Sequence, residues 1–136
     1  MAKKKKAGIT VGKRKKAIAR ATVKPGIGTV RINGKLLSTV EPEMVRMMIM
    51  EPLMIAEKAS KELDINVDVM GGGIIGQASA IRQAIAKALI QHDKNLKQKF
   101  VEYDRTLLVA DSRRTEPHKP SASKRGPRRH KQRSKR

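Results

Sequence analysis

From Asp111 to the C-terminus the sequence holds no large apolar side chain, so any core this chain builds must be drawn from the residues before it. The same stretch carries three of the six prolines, at Pro117, Pro120 and Pro127. A segment of that composition buries too little apolar surface to offset the entropy of ordering it, and alone it is expected to be disordered. Fully extended, residues 112–136 span about 80 Å. They can therefore enter crevices that a folded domain cannot.

Charge divides the chain in the same way. The formal net charge is +20, from 32 Lys and Arg against 12 Asp and Glu. Residues 1–24 hold 10 basic and no acidic side chains, and residues 112–136 hold 11 basic and 1 acidic. The segment between them is electrically balanced, with 11 of each sign. A folded chain gains no stability from gathering repulsion at its ends, so a polyanionic partner is the simplest physical reason for the pattern. Nucleic acid is expected rather than a membrane surface or an acidic protein, since no amphipathic basic helix accompanies the charge. There is no cysteine, which removes disulfide frameworks, thiolate catalysis and thiolate zinc sites together. No apolar run is long enough to span a bilayer, and Lys3 to Lys6 lead into more basic residues rather than a signal-peptide core. A soluble, intracellular chain is expected, with a basic extension over 1–16, one domain over 17–111 and an extended basic tail over 112–136.

Within the balanced segment, Ala17 to Val23 reads as a strand and Thr29 to Ile32 as another, with Asn33-Gly34 as a hairpin signal. A meander of three short strands ending at Leu36 and Leu37 follows. Pro42 can occupy the first turn of a helix that Pro52 interrupts, with a second short helix from Leu53 to about Ala59. Asp64 to Met70 is the clearest strand, since Ile65, Val67 and Val69 alternate with polar residues. After Gly71-Gly72-Gly73, the apolar residues Ile74, Ala78, Ile81, Ile85, Ala88 and Leu89 recur at helical steps, which predicts a long helix to Gln91 with Gln83, Lys87 and Gln91 facing solvent. A short helix over 95–103 carrying Phe100 and a last buried segment, Leu107 to Val109, complete the domain. Met44, Met47, Met48, Met50 and Met54 are read as adaptable core, with a partner groove as the alternative.

Three features bear on function. Gly12-Lys13-Arg14-Lys15-Lys16 abuts the first expected strand and is the better-positioned of the two N-terminal basic runs for RNA. Gly71 to Gln77 sits where a strand meets a helix start, and backbone N–H groups there favour an anion. Its glycines either only let the chain turn and the helix pack, or also hold an RNA phosphate. A nucleotide-enzyme reading lacks the Lys-Ser/Thr pair of a Walker loop. His92, His118 and His130 show no metal-ligand spacing, and Asp64 and Asp68 are better read as a strand's solvent face than as an acid–base pair. Phe100 and Tyr103 are the sole aromatics, so there is almost nothing on which to stack unpaired bases, and recognition should run through phosphates, sugars and shape.

Taken in order, several motifs resemble one family. They are Gly12-Lys13-Arg14-Lys15 with its Ala-rich strand, Glu51-Pro52-Leu53, Gly71-Gly72-Gly73 with Gly76-Gln77 and Ala80-Ile81-Arg82, Asp111 with Arg113 and Glu116, and the ending Gln132-Arg133-Ser134-Lys135-Arg136. The chain resembles small-subunit ribosomal protein nine in its archaeal and eukaryotic form, although Pro117-His118-Lys119-Pro120 and Lys124-Arg125-Gly126-Pro127 depart from that family's pattern. The resemblance implies an α+β fold, a small mixed sheet with helices packed on one face, of the kind found in the second domain of ribosomal protein S-five. It implies a structural, non-enzymatic protein in the head of the cytoplasmic small subunit, needing no cofactor. Expected rRNA contacts are Lys13, Arg14, Lys15, Lys16, Gly72, Gly73, Gln77, Arg82, Arg113, Arg114, Lys119, Lys124, Arg125, Arg128, Arg129 and Lys131. Expected contacts to the P-site tRNA are Arg133, Ser134, Lys135 and Arg136. Neighbouring head proteins are expected partners, and no membrane is.

Overall fold

The alternation at Asp64 to Met70 builds the central strand of the domain. In the computed structural model, which describes residues 8–115, this strand is β5 (Leu63–Met70), with Leu63, Ile65, Val67 and Val69 buried and Asn66, Asp68 and Met70 exposed. The other strands are β1 (Gly8–Arg14), β2 (Ala17–Pro25), β3 (Val30–Ile32) and β4 (Lys35–Leu36), and the sheet order is β1-β2-β5-β3-β4. β1 and β2 pair antiparallel, as do β2 with β5 and β3 with β4, while β3 and β5 run parallel. The fold is therefore α+β with a mixed sheet.

The expected meander is corrected here, because β5 inserts between β2 and β3. The turn after β2 holds the reason. The Asp64 carboxylate accepts from the N–H groups of Ile27 (3.0 Å) and Thr29 (2.9 Å), and the Gly26 N–H donates to the Glu62 carbonyl (2.9 Å). Both flanking strands are thus tied to β5 rather than to each other. The Thr29 N–H bond and the other bonds to the turn, working against desolvation, hold the Asp64 carboxyl below the usual carboxylate range. Asn33-Gly34 does make the expected hairpin turn between β3 and β4, with both residues at positive φ (50° and 82°).

Four helices follow: α1 (Glu43–Ile55), α2 (Glu57–Lys61), α3 (Ile74–His92) and α4 (Leu96–Tyr103), with a short 3-10 turn at Arg105–Leu107. α1 runs through Pro52 instead of ending there. Val45, Ile49 and Pro52 recur at steps of four and three and are all buried, so packing of the ring offsets the hydrogen bond that proline cannot make. α3 lies on the inner face of the sheet, over Ala17, Ala19 and Ala21 of β2, and α1 and α4 pack on it from the other side. The small residues Ala80, Ala84 and Ala88 let helix and sheet backbones approach closely. Phe100 and Leu107 are fully buried, whereas Val109, expected to be buried, is exposed.

β1 is a further correction, since sequence reading begins the domain at Ala17 and leaves 1–16 as an extension. Its Lys- and Gly-containing sequence has weak strand propensity, and α3 supplies what is missing. Lys13 N–H donates to the Gln83 Oε1 (2.8 Å), Lys87 Nζ donates to the Val11 carbonyl (2.9 Å) and Thr10 Oγ1 donates to the Ala84 carbonyl (2.8 Å). These bonds cap the outer edge of the sheet, which would otherwise present unpaired backbone groups. Gln83, expected at the solvent face, is for this reason buried. The methionines are corrected too: Met48 packs partly against the core, while Met44, Met47, Met50 and Met54 are exposed.

Candidate nucleic-acid interface

The antiparallel register puts Arg14 opposite Ala17, so Lys15-Lys16 forms the two-residue turn between β1 and β2. Lys15 sits at φ 52°, a left-handed conformation that costs a residue with a Cβ roughly 1–2 kcal/mol. A glycine would sit there at less cost, and the lysine at this position is exposed at the hairpin tip.

Against this turn lies the glycine stretch that ends β5. Gly71 and Gly72 have φ of 77° and 68°, and a Cβ on Gly71 would fall 2.5 Å from the Lys16 carbonyl oxygen. Absence of side chains at these two positions is what lets the two loops stack. The Gln77 side-chain amide donates to the Gly71 carbonyl (3.1 Å), which fixes the turn from the helix side. Gly73 precedes α3 and provides no side-chain cap, and no acidic residue occupies the first helical turn. The leading N–H groups of α3 therefore keep their capacity to bind an acceptor, with the positive end of the helix dipole behind them.

These parts line an open cleft of about 530 Å³, whose walls include Arg14, Lys15, Lys16, Gly72, Gly73 and Thr115. Two sequence motifs some sixty residues apart meet in it, and the beginning of the basic tail meets them there. Lys15 and Lys16 have no acidic partner among the described residues. Arg14 differs, because its guanidinium pairs with the Asp111 carboxylate. Arg113 joins the same carboxylate at 2.7 Å. Hydrogen bonds from Arg113, with the charges of Arg113 and Arg14, hold the Asp111 carboxyl well below the usual carboxylate range. This cluster ties the residues that precede the tail to β1. A smaller hollow of about 190 Å³, reaching Lys13 and Arg82, adjoins it.

Of the residues expected at RNA, the structure brings Arg14, Lys15, Lys16, Gly72 and Gly73 together. Lys13, Arg113 and Arg114 stand nearby and are exposed. Arg82 is turned elsewhere: its guanidinium pairs with Glu51 of α1 and with Asp104 (3.1 Å), joining three elements of the body. Lys119, Lys124, Arg125, Arg128, Arg129, Lys131, Arg133, Ser134, Lys135 and Arg136 lie outside the described residues, as do His118 and His130. Sequence reading missed Ile74 and Ile75, which line the cleft and are 62% and 48% exposed. Sequence periodicity puts Ile74 on the buried face of α3, and the fold leaves it exposed. Among the described residues no cluster of His, Asp or Glu is arranged to hold a metal, and no helix is long and apolar enough to cross a membrane.

A profile of the family "Ribosomal protein S9/S16" matches residues 12–136. The chain belongs to the ribosomal protein S9/S16 family. Its relatives include the small ribosomal subunit protein uS9 of Methanococcus maripaludis strain C5, 53% identical over 127 residues that cover 92% of this chain and 95% of the relative. The counterpart from Methanococcus vannielii is 51% identical over the same shares. Members of the S9/S16 family are structural components, not enzymes. A nucleotide-hydrolysing role for the glycine stretch is thereby set aside.

Proposed function

We propose that this structural protein of the small ribosomal subunit binds ribosomal RNA through the cleft between its β1–β2 turn and the start of α3, and through the basic tail that begins at the cleft's edge. The observation that carries this reading is convergence. Two unpaired lysines, a helix start free of side-chain caps and the first residues of a tail rich in cations all open onto one concavity. A phosphate in the cleft would meet ammonium groups and backbone N–H donors at once, and cations at the tail would neutralise successive phosphates along an RNA crevice. Ile74 and Ile75 at the mouth suit the sugar edges of a wide, shallow RNA minor groove.

Replacing Lys15 and Lys16 together by alanine tests the cleft. Both side chains are solvent-facing, so the fold is expected to survive. Affinity for small-subunit rRNA, measured across a potassium chloride series, should fall, with the log–log salt slope reduced by roughly 1.5 for two lost phosphate contacts. Unchanged affinity and slope would remove the cleft from the interface.

The finer assignment concerns the far end of the tail. Arg133, Ser134, Lys135 and Arg136 are placed at the backbone of the P-site tRNA, in the head of the cytoplasmic small subunit and beside neighbouring head proteins. Contacts to phosphate hold any tRNA regardless of its sequence, as a site serving all tRNAs requires. Lys135→Ala combined with Arg136→Ala is expected to speed tRNA release from small subunits while leaving the protein's incorporation intact. Equal release rates in wild-type and variant subunits would reject the assignment.

A further inference from the structure

The chain reaches the cleft along a segment without regular structure, and one carboxylate holds that segment in place. The last backbone hydrogen bond before it runs from the Val109 N–H to the Arg105 carbonyl (3.1 Å). Beyond that point, among the described residues, every hydrogen bond made by residues 110–115 involves the Asp111 carboxylate. Its Oδ1 accepts from the Arg113 backbone N–H (2.9 Å) and Nε (3.1 Å), and its Oδ2 accepts from Arg113 Nη2 (2.7 Å) and from the Arg14 guanidinium. The Arg113 bonds fold the segment into a local turn. The Arg14 bond is the one polar link, among the described residues, between that turn and the rest of the domain.

Arg14 is a firm anchor. It stands opposite Ala17 in the β1–β2 register, and Ala17 is fully buried. The side chains of Arg14 and Asp111 keep only 23% and 19% of their surface exposed, so water and salt screen this pair less than an ordinary surface pair. Four residues past Asp111, Thr115 already lines the cleft. By charge alone, a carboxylate beside an RNA surface opposes phosphate, and removing it would strengthen binding. Its bonds give it a different role.

We propose that Asp111 is a positioning residue for RNA binding, which fixes the root of the basic tail against β1 so that tail and cleft meet rRNA as one continuous surface. The proposal rests on the reading that both bind rRNA. Freed from Arg14, residues 110–115 become a flexible linker. Such a linker must be ordered when RNA binds, and it lowers the effective concentration of the tail beside the cleft.

The test combines Asp111→Asn with a full-length chain in which the nine Lys and Arg beyond Thr115 are replaced by glutamine. Asparagine keeps the shape of the side chain and can still accept from the Arg113 N–H, but it offers Arg14 no charge. Small-subunit rRNA is titrated with wild type, each variant and the combination, and circular dichroism follows the fold. Although Asp111→Asn raises the net charge from +20 to +21, it is expected to weaken rRNA binding about tenfold. In the glutamine-tail chain the same change should alter affinity by less than about twofold, because no cationic tail remains to be aimed. Tighter binding by Asp111→Asn would make the carboxylate a competitor of phosphate and overturn the proposal. An equal loss in both backgrounds, or loss of the fold, would overturn it too, since Asp111 would then be a support of the domain alone. Wild-type affinity in Asp111→Asn with a loss in the glutamine-tail chain would overturn it and leave the RNA reading standing. No loss in either would overturn both.

Discussion

Replacing Gly12 with valine is expected to destabilise the whole domain, not to weaken RNA binding selectively. The first carbon of any side chain at this position would stand 2.0 Å from the Ala80 carbonyl oxygen and 2.7 Å from the Ala84 nitrogen. Both are well inside the ~3.5 Å at which non-bonded heavy atoms pack best. The obstructing atoms are helix backbone, so no side-chain rotation relieves the clash and α3 must lift from β1. Lifting it would stretch the bonds from Lys13 to Gln83, from Lys87 to Val11 and from Thr10 to Ala84 that cap the sheet edge. It would also open the layer in which Ala17, Ala19 and Ala21 face the alanines of α3. Overpacking of this kind costs about 3 kcal/mol or more. The thermal midpoint, followed by circular dichroism, should fall by about 10 °C or more. A midpoint within ~2 °C of wild type would mean that helix and strand are not in backbone contact.

Truncation after Thr115 is expected to have the opposite signature, a stable domain with little hold on RNA. The deletion leaves Asp111 and Arg113 in place, and with them the link to Arg14. It removes nine Lys and Arg and one Glu, which lowers the net charge from +20 to +12. If each cation meets a phosphate, the salt slope should drop by roughly 6 to 8, and affinity near physiological salt by on the order of a thousandfold or more. Circular dichroism and rRNA titrations on the same preparations separate the two effects. A truncated chain that keeps both affinity and slope would show that the cleft alone carries binding.

Only some parts of the molecule were legible in the sequence. Strand β5 was, because each residue from Leu63 to Val69 reports its face through period-two alternation. Helix α3 was legible through its apolar period and the Asn33-Gly34 turn through residues that tolerate positive φ. The division of charge was legible by counting. β1 was not, since Gly8–Arg14 pairs with β2 along its inner edge while its outer side is held by bonds between Thr10, Val11 and Lys13 and the α3 residues Gln83, Ala84 and Lys87, partners more than sixty positions away. The place of β5 between β2 and β3 was hidden for a similar reason, as it depends on Asp64 holding a turn 35 to 37 residues earlier.

The candidate site divides along the same line. That Lys15, Lys16 and the glycines of residues 71–73 have RNA-binding chemistry follows from residue type alone. That they share one cleft does not, because it requires Gly71 to rest on the Lys16 carbonyl. Nor does sequence decide which cations are already committed: Arg82 and Lys15 carry the same charge, and only the fold sets Glu51 and Asp104 against Arg82. Composition and periodicity are local properties and settle an element's type, its buried face and the sign of its charge. Pairing order, the neutralisation of one arginine but not its neighbour, and the exposure of four methionines of α1 depend on what lies across space, and those were settled only when the chain folded on itself.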